Sequence, residues 1–98
     1  MDIYWSEIYY LDQNSYKEGV VYAFVKAKDA ITAYQKVNES LKRKRIKSLR
    51  WEFIEPYDIN LEWEENDLTL HYKSLYNKAK SSNQCVFDRF CQINEEQS

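Results

Sequence analysis

Along the chain the spacing of apolar residues switches between a period of two and a helical period, and the switches mark out the elements. Ile3 to Leu11 mixes Tyr, Trp and Ile with polar residues, which suits a half-buried strand. The polar stretch Asp12 to Gly19 ends in the residue freest to take a positive φ and predicts a loop that returns the chain. Val20 to Lys26 follows as a second strand. Val21, Ala23 and Val25 lie on one face, Val20, Tyr22 and Phe24 on the other, so this strand is predicted to be central and covered on both sides.

Asp29 is placed to cap a helix over Ala30 to Arg43, because Ala30, Ala33, Tyr34, Val37 and Leu41 then recur along one helical face. From Ile46 the period returns to two. Leu49, Trp51 and Phe53 point one way and Ser48, Arg50 and Glu52 the other, in a strand that ends near Pro56. Glu55-Pro56-Tyr57-Asp58 puts Pro at the second position of a type I turn. Ile59, Leu61 and Trp63 alternate with Asn60, Glu62 and Glu64 beyond it, which predicts a hairpin. A second helix, capped by Asn66 or Asp67, carries Leu68, His71, Tyr72, Leu75 and Ala79 on its apolar stripe up to Lys80. Cys85 to Ile93 alternates again as a last strand, and the polar tail 94–98 is expected to fray.

The predicted fold class is therefore α+β: a two-layer ferredoxin-like sandwich, with an extra N-terminal strand preceding βαββαβ, an antiparallel or mixed sheet and two helices on one face. If the Pro56 hairpin is only a loop, the order becomes ββαβαβ with the same two-layer character. Several strands carry large apolar residues on both faces, so the sheet face away from the helices is expected to need a cover, either a second subunit or a partner. The 98 residues fit one domain, 1–98, with an ordered core of about 2–93.

Composition removes several function classes. A single glycine, Gly19, rules out P-loop and dinucleotide-binding motifs, which need glycines where the backbone approaches phosphate. The opening residues lack the basic and apolar regions of a signal peptide, and no apolar run approaches the roughly 20 residues that span a bilayer, so a cytoplasmic protein without membrane contact is expected. Cys85 and Cys91 would lie roughly 20 Å apart along a strand, too far for a disulfide, and are expected to be free and mostly buried. With two Cys and one His, a zinc site cannot be assembled. No loop resembles an EF-hand, and no cofactor or metal is expected.

His71 falls on an apolar stripe and reads as a structural histidine. Neither cysteine sits in a nucleophile motif, so the chain is read as not an enzyme. Charge is divided unevenly. Residues 1–50 hold ten Lys or Arg against six Asp or Glu, residues 51–98 four against ten, within a net charge of −2. Lys42, Arg43, Lys44, Arg45, Lys47 and Arg50 form a basic run; Glu52, Glu55, Asp58, Glu62, Glu64, Glu65 and Asp67 form an acidic one. Both runs begin or end where the helix macrodipole favours their sign, which accounts for part of the pattern. The acidic run also contains Tyr57 and Trp63. Carboxylates that steer encounter and aromatics that anchor contact are what a basic protein partner requires, although Trp63 also suits the core.

The segments Val20–Ala30 and Trp51–Asp58, the small size, the acidic balance and the wealth of Tyr and Trp resemble the single-domain immunity proteins of bacterial contact-dependent and polymorphic toxin systems. That resemblance implies a compact α+β protein that neutralises a cognate toxin domain by direct binding. The partner-binding residues would be Glu52, Glu55, Tyr57, Asp58, Glu62, Trp63, Glu64 and Glu65, facing a basic cleft. Two other readings stand beside it. One is a homodimeric ferredoxin-like regulatory or ligand-binding domain whose open sheet faces pack together. The other is an RNA-binding module using Lys42 to Arg50, against which the overall acidity and the lack of a glycine-aromatic RNP segment both argue.

Overall fold

Two long central strands, apolar on both faces, organise the molecule. In the computed structural model, which describes residues 1–93, β1 (Asp2–Asp12) pairs antiparallel with β2 (Lys17–Ala27) along its whole length, from Asp2 opposite Ala27 to Asp12 opposite Lys17. The chain continues through α1 (Ala30–Arg43), β3 (Ile46–Pro56), α2 (Asn66–Lys80) and two short strands, β4 (Val86–Phe87) and β5 (Cys91–Gln92). β3 pairs antiparallel with β1, and β4 and β5 both pair antiparallel with β2, giving the order β3-β1-β2-β4. The N-terminal strand is thus central. The tail 94–98, expected to fray, lies outside the described residues.

The register divides the side chains between two cores. Tyr4, Ile8 and Tyr10 of β1 share a face with Val21, Ala23, Val25 and Ala27 of β2, and Ala33, Val37 and Leu41 of α1 pack onto it. Ile3 and Trp5 share the other face with Phe24, and Leu75 and Ala79 of α2 pack there with Tyr57. The two helices therefore lie on opposite faces of one sheet. This corrects the expected two-layer sandwich with both helices on one face. Strands with two apolar faces bury both only if each is covered, and the second cover is the chain's own α2.

Helix α1 has the predicted bounds and cap: the Thr32 amide donates to Asp29 Oδ1 at 2.7 Å. That bond holds the Asp29 carboxyl below its usual range. The stability it adds is present at neutral pH and lost as pH falls through the lowered value. Helix α2 ends at Lys80 as predicted but starts at Asn66, a residue expected to cap it; the N-cap is Glu65, whose side chain makes no capping bond. Its inward stripe is Tyr72, Leu75, Tyr76 and Ala79, so His71 is exposed and bonds Asp88 at 2.9 Å instead of joining the core.

Three further expectations are corrected. Register shifts between Glu7 and Ile8 and between Tyr9 and Tyr10 leave an extra β3 residue at each place. Such bulges send side chains two apart to opposite faces. Trp51 consequently packs under Tyr34 of α1, ring centroids 4.7 Å apart, while Phe53 packs against Trp5 on the other side at 4.8 Å. Cys85–Ile93 is interrupted rather than a single strand: β2 advances three residues from Val20 to Ala23 while the last segment spans four from Phe87 to Cys91. The extra residue lets Phe87 and Phe90 lie on one side, 5.3 Å apart. Finally, Gly19 lies inside β2 opposite Tyr10, and the turn's positive φ is taken by Tyr16 at 58°.

Candidate functional site

The acidic run begins on β3 and ends in the first turn of α2, and the structure replaces the predicted hairpin between them with a loop. The Tyr57 amide donates to the Ile3 carbonyl at 2.8 Å, a turn closes from Asp58 to Leu61 at 2.9 Å, and the chain then crosses the face that carries Trp5. Ile59, Leu61 and Trp63 find no strand to pair with, so alternation does not govern which of them turns inward.

Tyr57 and Trp63, expected to project as anchors for a partner, point into the molecule. Tyr57 is 6% exposed. Its ring meets Trp5 at 5.0 Å, Phe24 at 5.4 Å and Tyr76 at 5.8 Å. Trp63 is half-buried and meets Tyr72 at 5.0 Å and Trp5 at 6.0 Å. Its amide donates to Thr69 Oγ1 at 2.8 Å, which ties the end of the loop to α2. Thr69 is buried, and reading the sequence by apolar spacing alone passes over it.

The carboxylates behave in the opposite way. Glu52, Glu55, Asp58, Glu62, Glu64, Glu65 and Asp67 are all exposed. Only Glu52 is in an ion pair among the described residues, with Arg50 at 2.7 Å. Asp58 also accepts the Asn60 amide at 2.9 Å, which tightens the loop's turn. The aromatic side chains thus act as staples that fix the backbone, and the acidic side chains stand on the outside of a loop held at both ends. Leu61, 39% exposed, and Leu68, 36% exposed, are the apolar groups that interleave with them at the surface.

The basic run is exposed too, at the end of α1 and the start of β3. Arg50 lies over the Tyr9 ring, 4.4 Å from its centroid. An RNA-binding sheet needs aromatics open to stack bases. Here Trp5, Tyr22 and Phe24 are packed against Tyr72 of α2 at 5.8–6.2 Å.

Groups suited to chemistry are dispersed. An open cleft of about 640 Å³ between α1 and the 83–90 segment is lined by Lys36, Ser40, Arg43, Lys44, Cys85 and Phe87 among others. Burial pushes the Cys85 thiol up to about 12. That is the reverse of the lowering that makes a thiolate nucleophile. Cys91 is exposed, against the expectation that both thiols are mostly buried, and both are free. In native protein at pH 8 a maleimide or disulfide reagent should therefore modify Cys91 rapidly and the half-buried Cys85, its thiol held protonated, much more slowly. Mass spectrometry after a short exposure checks this, and equal labelling of both would contradict the burial of Cys85.

Among the described residues no group of three or more His, Cys, Asp or Glu is placed to hold a metal ion, and no helix is long and apolar enough to cross a membrane. No protein-family model, curated protein or solved structure matches the chain.

Proposed function

We propose that the chain is a non-catalytic binding protein of the immunity type, which neutralises a bacterial toxin domain by covering a basic face of it. The supporting observation is the loop 57–65. It is fixed from within by Tyr57 and Trp63 and presents Asp58, Glu62, Glu64 and Glu65 to solvent without an ion-pair partner among the described residues. A preorganised acidic surface steers a basic partner and loses little conformational freedom on binding. With Tyr57 and Trp63 facing inward, Leu61 and Leu68 take over the apolar part of the contact, and Asp67 extends the acidic rim.

The test is charge reversal. Glu62→Lys with Glu64→Lys should leave folding intact, since exposed substitutions shift stability by no more than about 0.5 kcal/mol. Where a toxin domain is encoded beside the gene, association with it should slow about tenfold or more and lose most of its salt dependence. An unchanged association rate would remove the loop from the contact. Failure of the unaltered chain to bind that domain would overturn the reading itself.

A further inference from the structure

Along its outer side β3 is the longest unpaired edge of the sheet, eleven residues that pair only with β1; among the described residues no strand lies beyond it. An edge of that length offers backbone donors and acceptors to any extended chain, and proteins blunt such edges with charge. The charges here are ordered. Lys47 and Arg50 occupy the first half of the strand, and Glu52 and Glu55 the second. Counted along β1, Lys47 and Glu55 each lie three positions from Trp51, so the strand laid antiparallel on itself about Trp51 puts Lys47 opposite Glu55, while Arg50 meets the bulge at Glu52 and exchanges the 2.7 Å ion pair it makes with Glu52 of its own chain for one across the axis. A twofold axis makes each of these contacts twice. Laid parallel and in register, it sets like charge on like. Opposite charges directly across a pair of strands stabilise and like charges destabilise, so this edge discourages parallel pairing while fitting a second copy of itself.

Apolar exposure gathers along the same edge. Leu49 of β3 is 47% exposed. Tyr34 of α1, 43% exposed, lies over Trp51. Ile31, 71% exposed, precedes Tyr34 by one helical turn on the flank of α1 that faces β3, the flank from which Asn38 bonds Ser48. Two copies joined through β3 would bring their α1 helices alongside one another and take these residues out of water together. An isologous interface needs a patch complementary to itself under a twofold rotation, and both the charge order and the apolar flank meet that requirement.

We propose that β3 is a self-association edge, through which two copies pair antiparallel about Trp51 into one continuous sheet. This assigns Glu52 and Glu55 to the dimer and leaves the carboxylates of loop 57–65 free for another partner. The occupant is a second copy of this chain rather than a foreign peptide, because the charge order is satisfied by the strand's own sequence.

The experiment is sedimentation equilibrium from micromolar to millimolar protein, with a pair of charge variants. The unaltered chain should dimerise reversibly. Lys47→Glu with Arg50→Glu makes the edge wholly acidic, and Glu52→Lys with Glu55→Lys makes it wholly basic. Each variant alone should associate at least about tenfold more weakly than the parent, and the two mixed should form a heterodimer. Heterodimer formation shows at the same time that both variants are folded. A parent that stays monomeric up to millimolar concentration, or a mixture that fails to associate, overturns the proposal. Neither result bears on whether loop 57–65 binds a toxin.

Discussion

Replacing Trp5 with alanine is expected to bring the domain close to unfolding. Trp5 is the hub of the core beneath α2: its ring lies 4.8 Å from Phe53, 5.0 Å from Tyr57 and between 5.7 and 6.2 Å from Tyr22, Phe24, Trp63 and Tyr72. Those neighbours come from β2, β3, the acidic loop and α2, so one side chain joins four segments distant in sequence. Truncating a buried Trp costs about 3–5 kcal/mol, through lost transfer energy and the cavity left behind. A domain of this size has roughly 5–15 kcal/mol in all, so the midpoint of thermal unfolding should fall by on the order of 20 °C.

The same substitution should have a second, local effect. Tyr57 and Trp63 both pack on Trp5, so without it the acidic loop loses the surface that fixes it. Limited proteolysis should then cut within 57–65 at temperatures where the rest of the fold persists. Should Trp5→Ala fail to fold, Trp63→Ala tests the same link more gently: it removes one staple and leaves the hub. A Trp5→Ala protein that melts within a few degrees of the parent, with the loop still protected, would show that this aromatic cluster is not what holds the site.

The sequence made some of this legible and hid the rest for identifiable reasons. Helix α1 can be read because its signals are local: Asp29 offers a cap, and Ala33, Val37 and Leu41 recur at helical spacing. The two apolar faces of β2 can also be read from alternation alone. What alternation does not contain is a bulge, since one extra residue changes the face of everything beyond it without leaving a mark in composition. Trp51 and Phe53 look like neighbours on one face and lie on opposite faces for that reason. The placement of α2 across the sheet from α1 is likewise a long-range outcome, decided by which face the loop from Tyr57 crosses.

For the candidate site, the division of labour was legible in part. A run of carboxylates in a segment without Lys or Arg has little choice but to face water, and it does. The aromatics within it had two options, because Tyr and Trp suit a partner's surface and a core equally well. Burying them against Trp5 covers a sheet face that would otherwise stay open. The expectation that another molecule must cover that face rested on counting both helices on the opposite side. Once α2 and the acidic loop are seen to supply the cover, the unsatisfied surface left over is an edge rather than a face, and the acidic loop's outward side stays in solvent.

Gly19→Ala offers a test in which two contributions predict opposite signs. Within a strand, Gly to Ala ordinarily stabilises by about 0.4–1 kcal/mol, because it reduces the freedom of the unfolded chain. Gly19 is not at a positive φ, so backbone strain does not oppose the change. The surroundings do oppose it. A Cβ at this position would collide with the Cys91 carbonyl of β5 and with the ring of Tyr10, which lies across the glycine from the facing strand. Tyr10 is itself held, 2% exposed and 5.4 Å from Phe90, so its ring has little room to move. Overpacking of this kind costs about 1–3 kcal/mol, which outweighs the entropic gain, and Gly19→Ala should destabilise. The damage should concentrate where β5 pairs with β2, so hydrogen exchange should speed up at Cys91 and Ile93 before it does in β1. Adding Tyr10→Leu should recover part of the loss, because it removes one of the two obstacles, and the two substitutions should be non-additive. If Gly19→Ala raised the melting temperature, the close approach of Tyr10 to this glycine would not be a packing constraint, and its place in β2 would reflect tolerance instead of need.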